Sequence, residues 1–300
     1  RSVFVVMAAV AALAVVLVFA LTQESTAEET PKMDWAGVVT LGIAFLAIYL
    51  AIDEVGALAA ANWGLVAILV VIAVVFFVIF WNIESRKKDP MVTTHYLKQR
   101  RTWGLLLTTL LTMTGVFAIM NGVVPAIAQD PVMGVDMKPD MVSFATLTPY
   151  ALLGLCFGPV AGVLASKFGY RSVLRAGLIV SIAGVLFGIF LSNNASIPSL
   201  VIISVVLGIA YAGTANIMLN GLGIVLSPED NPGYLPGMNA GAFNLGAGLS
   251  FAVLYAVMDA FAMNGAQVGY SAAMIASAVL LGAALLVSLF IPKPSDADNS

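Results

Sequence analysis

Nine runs of about twenty apolar residues leave this chain one workable solvent, and that solvent is lipid. The runs are Val3–Leu21, Ala36–Ile52, Gly64–Trp81, Trp103–Ile127, Val142–Leu164, Val173–Leu191, Leu200–Leu226, Leu235–Ala260 and Ala272–Ile291. A helix rises about 1.5 Å per residue, so runs of this length match a hydrocarbon core of roughly 30 Å. Only 10% of the 300 residues are charged, and 61% are hydrophobic. Soluble domains carry roughly 25% charged residues. A mean hydropathy of +1.01 leaves too little polar surface to coat a globule of this size. In hydrocarbon every backbone N–H and C=O must be satisfied within the segment, which selects helices. The expected fold class is therefore an all-α membrane protein with about nine transmembrane helices. Trp35, Trp63, Trp81 and Trp103 all stand at run edges, where an indole meets the headgroups.

The chain opens at Arg1 and enters its first run at once. A signal peptide is the competing interpretation of such a start. The run exceeds the roughly 7–15 apolar residues of a signal core, and cleavage would invert everything downstream, so it is taken as a span. The connecting segments alternate in charge. Those on the side reached after the first span carry Lys32, Arg86, Lys87, Lys88, Lys98, Arg100, Arg101, Lys167, Arg171, Arg175 and Lys293. These are eleven of the thirteen basic residues, and the other side holds only Arg1 and Lys138. The positive-inside rule places the basic side, and with it the C-terminus, in the cytoplasm. The loop from Asn82 to Arg101 is the longest of these and divides three leading spans from six trailing ones. Its Arg86-Lys87-Lys88 run sets topology or touches anionic lipid.

Several function classes drop out. The single cysteine, Cys156, cannot close an internal disulfide, and the single histidine, His95, has no ligand cluster around it. No metal, no cofactor and no nucleic-acid partner is expected, and hydrolase, metalloprotease and P-loop signatures are missing from the sequence. The chain is not expected to be an enzyme.

The spans hold amides instead of charges. Asn121 falls in the fourth run, Asn216 and Asn220 in the seventh, and Asn239 and Asn244 in the eighth. Asn216 and Asn220 share a helix face by their spacing of four. An amide turned to lipid would be unsatisfied, so all five are expected to face protein or a watery cavity. Interhelical bonding and cavity lining remain open alternatives. Asp259, near the far end of the eighth run, is the nearest thing to a membrane carboxylate, and an interfacial position is the simpler account. Gly154, Gly158 and Gly162 line one face of the fifth run, and Gly237, Gly241, Gly246 and Gly248 crowd the start of the eighth. Pro125, Pro149 and Pro159 are positioned to interrupt helices.

The segment GVLASKFGYR, Gly162 to Arg171, lies in a turn between two spans. It resembles the loop signature of the major facilitator superfamily, a Gly-x-Leu-Ala-Asp-Arg-x-Gly pattern followed by a basic residue. Gly162, Leu164, Ala165, Gly169 and Arg171 match, Lys167 keeps a charge, and Ser166 stands where an aspartate is usual. The layout, two extra spans before a basic loop and six more spans, resembles the fourteen-span drug:proton antiporter branch. That resemblance implies these parts: residues 1–21 as the last span of an N-terminal bundle, 22–101 as an inserted two-span linker, 102–292 as the C-terminal six-helix bundle, and 293–300 as a cytoplasmic tail. It further implies a missing N-terminal helical bundle of the same protein, with the proton-coupling carboxylates lying upstream of Arg1.

The function implied is proton-coupled export of small amphipathic molecules by alternating access, multidrug-type efflux. The partners would be a small-molecule substrate, protons and the lipid bilayer. The resemblance gives cavity-lining roles to the fourth, fifth, seventh and eighth spans, hence to Asn121, Asn216, Asn220, Asn239 and Asn244. Aromatic and methionine surface would come from Phe117, Met120, Tyr150, Tyr211, Met218 and Phe243. The alternatives are a symporter or facilitator for another small solute, or a non-transporting membrane scaffold.

Overall fold

A computed structural model describes residues 2–21, 34–57, 60–87, 92 and 94–294. Lys32, Lys88, Arg1 and the last six residues of the tail lie outside the described residues. Contacts divide the chain into two compact units, Arg1–Asp34 and Trp35–Ser300. The first holds one helix, α1 (Ser2–Leu21), which is apolar around its whole circumference, as a helix surrounded by hydrocarbon requires.

The second unit begins with an antiparallel pair, α2 (Trp35–Gly56) and α3 (Trp63–Arg86). Asn62 caps α3 by accepting the Leu65 N–H at 3.1 Å, while the Glu54 carboxylate accepts the Asn62 N–H at 2.7 Å. The α2 residues Gly37, Ala44, Ala47 and Ala51 are buried, a stripe of small residues that admits a close neighbour. One such neighbour is α12 (Tyr234–Ala262), against which Gly56 sits so tightly that an added Cβ would lie 3.0 Å from the Ala256 Cβ. Helix α3 runs five residues past Trp81, so part of the expected loop is helical, and Glu84 there is buried, accepting the Val92 N–H at 2.8 Å.

The six trailing spans come next. A short helix, α4 (Thr94–Leu97), precedes α5 (Arg100–Ala118), which continues through a π-helical segment, Ile119–Val123, into α6 (Val124–Gln129). The fifth span breaks at Thr146 into α7 (Pro139–Ala145) and α8 (Leu147–Phe168). Pro149 falls in the first turn of α8, where its missing N–H costs nothing. Pro159 lies inside α8, which continues through it. Then come α9 (Tyr170–Asn193), α10 (Ile197–Leu207), a second π segment, Gly208–Ala215, α11 (Asn216–Val225), α12 (Tyr234–Ala262) and α13 (Ala266–Val287). Among the described residues nine helical stretches are long and apolar enough to cross a membrane, and no strand occurs. Most of them overrun the apolar runs at one end or both, as at Pro139–Phe168, because helix geometry persists into the interface after the side chains turn polar.

The core of the six-span bundle is a cluster including Leu105, Met113, Ile119, Met120, Leu174, Leu178, Ile203, Leu207 and Met218. Leucine in such a core gains nothing over leucine in lipid, so fit between helices decides the packing. The closest fits fall at a few glycines. An added Cβ on Gly246 would lie 2.6 Å from the Met113 Cβ, and one on Gly208 would lie 2.7 Å from the Tyr150 carbonyl oxygen. Gly154 is similarly tight against Ala212, whereas Gly162, Gly237, Gly241 and Gly248 have nothing within 4 Å. The glycine runs of the fifth and eighth spans thus divide into packing positions and open ones.

Candidate functional site

The amides of the fourth, seventh and eighth spans separate by environment. Asn239 is interior: it accepts the Thr109 hydroxyl at 2.6 Å and donates to the Leu219 carbonyl at 3.4 Å, joining α12 to α5 and α11. Asn121, Asn220 and Asn244 are exposed, and Asn216 is half-buried. Each exposed amide donates Nδ2 to the carbonyl four residues earlier on its own helix: Asn121 to Phe117, Asn220 to Asn216, Asn244 to Ala240, all at 2.9 Å. This pins the side chain and leaves the three Oδ1 atoms without a donor among the described residues. Asn220 also donates to Asn216 Oδ1 at 3.1 Å, so these two form one polar unit.

Depth is set by position along the helix. Asn216 is nine residues from the end of α11, and Asn244 is ten from the start of α12. At 1.5 Å per residue both lie about 14–15 Å from the end of their span at the Ser227–Gly233 loop, about half the hydrocarbon thickness. Asn121 is eight residues, about 12 Å, from the opposite end of its span at Gln129. Exposed amides at these depths would leave polar atoms in hydrocarbon if they faced lipid. Each such side chain therefore needs water or further protein beside it.

The apolar candidates divide the same way. Met120, Tyr211 and Met218 are buried, and Tyr211 donates its hydroxyl to the Met113 sulfur inside the core. Phe117, Tyr150 and Phe243 are half-buried. Phe117 meets Phe251 edge-on at 5.9 Å, and Phe251 meets Tyr255 in a tilted contact at 5.8 Å. Two clefts lie nearby without including any of the asparagines expected from sequence to line a cavity. One of about 400 Å³ between α2 and α12 brings together Tyr49, Asp53, Phe251, Tyr255 and Asp259. The other, about 920 Å³, is bounded by Leu41, Phe45, Trp103, Leu110, Tyr234, Gly237 and Gly241.

The signature turn is a bracket. Gly169 caps α8 with φ of +80°, a conformation few side-chain-bearing residues adopt. Gly162, Ser166 and Lys167 are exposed and Leu164 is half-buried, with Ser166 donating to the Val163 carbonyl at 2.8 Å. Arg171 donates to the Ile291 carbonyl at 2.7 Å, and Arg175 to the Ser288 carbonyl at 3.0 Å. Two cations thus sit on the C-terminal carbonyls of the last span, where the helix dipole favours them. In the short helix before α5, Tyr96 donates to the Asp230 carboxylate and meets Tyr234 in a tilted ring contact at 5.0 Å. That hydrogen bond raises the Tyr96 hydroxyl above the usual phenol value. At the other membrane face Asp130 accepts the Val132 and Met133 N–H groups and the Tyr270 hydroxyl, and the backbone bonds hold its carboxyl below the usual value.

Sequence reasoning passed over the hydroxyls. Ser250 accepts the Ala118 N–H at 2.8 Å, and Ser277 donates to the Gly115 carbonyl. Thr214 donates to the Ile209 carbonyl at 2.8 Å. Their signal in the sequence is serine and threonine inside otherwise apolar spans, which is fainter than an amide or a charge.

Nine apolar spans among the described residues, with exposed amides pinned to their own helices in the fourth, seventh and eighth, define a polytopic helical membrane protein. The sequence pattern of the Major Facilitator Superfamily matches residues 1–251 and, in an overlapping placement, residues 105–300. The chain belongs to that superfamily. It is 54% identical over 302 residues to the uridine/deoxyuridine transporter of Lactococcus lactis, covering 99% of this chain and 63% of that protein. It is 24% identical to multidrug resistance protein 3 of Bacillus subtilis, over 64% of this chain and 36% of that protein. It is also 24% identical to multidrug resistance protein Stp of Mycobacterium tuberculosis, over 87% of this chain and 47% of that one. The chain thus spans less than two thirds of the length of each of these relatives.

Proposed function

We propose that the protein carries pyrimidine nucleosides across the membrane by alternating access, with residues 102–292 forming one of two rocking bundles. The observation that carries this is 54% identity with a uridine/deoxyuridine transporter along 99% of the chain. Multidrug efflux, the expectation from helix layout, has support only from relatives at 24% identity. The alternative expectation, transport of another small solute, is the better supported.

The amide face suits such a substrate. The uracil edge offers an N–H donor beside a carbonyl acceptor, which a carboxamide answers with its own acceptor and donor. Asn121, Asn220 and Asn244 each have an Oδ1 free for this among the described residues. The Phe117–Phe251 pair offers ring surface on which a base can stack. The basic turns would face the cytoplasm, and a second bundle would complete the cavity.

The test uses the full-length protein in proteoliposomes. Saturable flux of labelled uridine, competed by deoxyuridine and not by a lipophilic cation, is expected. Absence of uridine flux alongside movement of the lipophilic cation would overturn the proposal in favour of efflux. Repeating the measurement with and without an imposed pH gradient decides whether protons drive it.

A further inference from the structure

The fourth span is held in an irregular form by side chains from two other spans. In a continuous α-helix the Ile119 N–H would donate to the Gly115 carbonyl. Instead it donates three residues back, to Val116, and the Gly115 carbonyl accepts the Ser277 hydroxyl from α13. Beside it, the Ala118 N–H donates to Ser250 Oγ on α12 at 2.8 Å. Further along the span the Val124 N–H reaches five residues back to Ile119, which is the π segment. Pro125 contributes from the other direction, since it has no N–H to offer the Asn121 carbonyl. The backbone lies close to its neighbours here. A Cβ on Gly115 would come 3.2 Å from the Ser277 carbonyl, and one on Gly122 would come 2.6 Å from the Tyr255 hydroxyl.

A π turn fits an extra residue into the helix. Residues beyond the turn are rotated by about one position, roughly 100°, against those before it. Asn121 sits within that turn, exposed, with Met120 and Gly122 buried on either side. If the span closed into a regular α-helix, a different residue would occupy the exposed direction. Within hydrocarbon the opened backbone groups need partners, and the two serines supply them.

We propose that Ser250 and Ser277 are positioning residues for the substrate site: by engaging the Ala118 N–H and the Gly115 carbonyl they hold the fourth span in its π form and so aim Asn121 at the open face. The inference rests on the transport function proposed above, which assigns Asn121 to the substrate. Neither serine touches the substrate. Their effect passes through the backbone of α5.

The test places a reporter at Asn121 in the full-length protein. Cys156, which is exposed, and any cysteine elsewhere in the full-length protein are first replaced by alanine to remove competing thiols. In that background Asn121→Cys is labelled with a water-soluble maleimide, alone and combined with Ser250→Ala, Ser277→Ala or both. The labelling rate is expected to fall about tenfold in the double alanine variant and to recover in Ser277→Thr, which keeps the hydroxyl. With Asn121 intact, the same alanine variants should raise the uridine KM by about five- to tenfold with a smaller change in kcat. If the double variant does not reach the membrane folded, Ser277→Ala alone, with the Ala118 bond retained, carries the comparison. Unchanged labelling in a folded alanine variant overturns the proposal. Altered labelling, together with no uridine movement by the protein that retains Asn121, Ser250 and Ser277, leaves the serine role standing and removes the nucleoside assignment instead.

Discussion

The fourth and seventh spans each contain a π segment, and the two are satisfied in opposite ways. In the seventh, the Ile209 carbonyl accepts a hydroxyl from Thr214 of the same segment. In the fourth, the opened groups are met by Ser250 and Ser277, from α12 and α13. A segment that completes its own hydrogen bonds keeps its shape wherever its neighbours go. A segment completed by its neighbours depends on how they pack, so movement of α12 or α13 reaches the fourth span directly. The seventh span is also pressed backbone to backbone on α8 through Gly208, at its π segment; the fourth has a comparable backbone contact with α12 where Gly246 meets the Leu110 carbonyl, but at its own π segment it meets α12 at Gly122 through the rings of Tyr255 and Phe251. Rings can turn, but backbone cannot.

The sharpest way to break this contrast is at the rigid contact. Gly208→Val would place a Cβ 2.7 Å from the Tyr150 carbonyl oxygen, with no side chain there able to yield. A loss of about 1–3 kcal/mol or failure to fold is expected, read by thermal unfolding in detergent. A wild-type melting curve would show that the seventh span is not anchored as described. Next in size is Asn239→Leu, which leaves the buried Thr109 hydroxyl without its acceptor and cuts the link from α12 to α5 and α11. Its expected cost is about 1–2 kcal/mol, with uridine KM little changed if Asn239 is purely a strut. A large KM effect at full stability would move Asn239 into the substrate site.

Thr214→Val comes third. It removes the internal bond to Ile209 at nearly constant volume and should cost about 0.6–1.5 kcal/mol without altering thiol labelling at position 121. A change in that labelling would mean that the two π segments are coupled and the contrast fails. The smallest effect concerns the loop after α6. The Asp130 carboxyl is held below its ordinary value, first by the Met133 and Val132 N–H groups. A lowered folded value means stability present above about pH 4 and lost as pH falls through the folded value. Unfolding temperatures between pH 3 and pH 6 should therefore drop at the acid end in the wild type and less in Asp130→Asn. Equal slopes would show that the loop bonds contribute nothing.

Much of the architecture was legible in the sequence because lipid imposes simple demands. Length and apolarity alone locate a span, since a run of about twenty apolar residues can satisfy its own backbone in hydrocarbon only as a helix. The turn at Gly162–Arg171 was recognisable because Gly169 must adopt a left-handed conformation that others avoid, and the nearby Arg171 carries a charge that cannot be hidden. The overrun of α3 past Trp81 was not legible, because residues Asn82–Arg86 read as polar loop until Glu84 finds the Val92 N–H.

The site was legible only in part. The sequence by itself determined that five amides lie in membrane spans and that Asn216 and Asn220 share a face, because helix periodicity fixes both. Tertiary structure decided which amides serve the interior and which look outward. Asn239 is buried because Thr109 and the Leu219 carbonyl, far away in sequence, converge on it. Asn121 looks outward on a π turn that Ser250 and Ser277 meet from 132 and 162 residues away from their partners. Pro125 marks the turn from within the span, but its own helix cannot complete it, because the hydrogen bonds that meet the Gly115 carbonyl and the Ala118 N–H in hydrocarbon come from other helices.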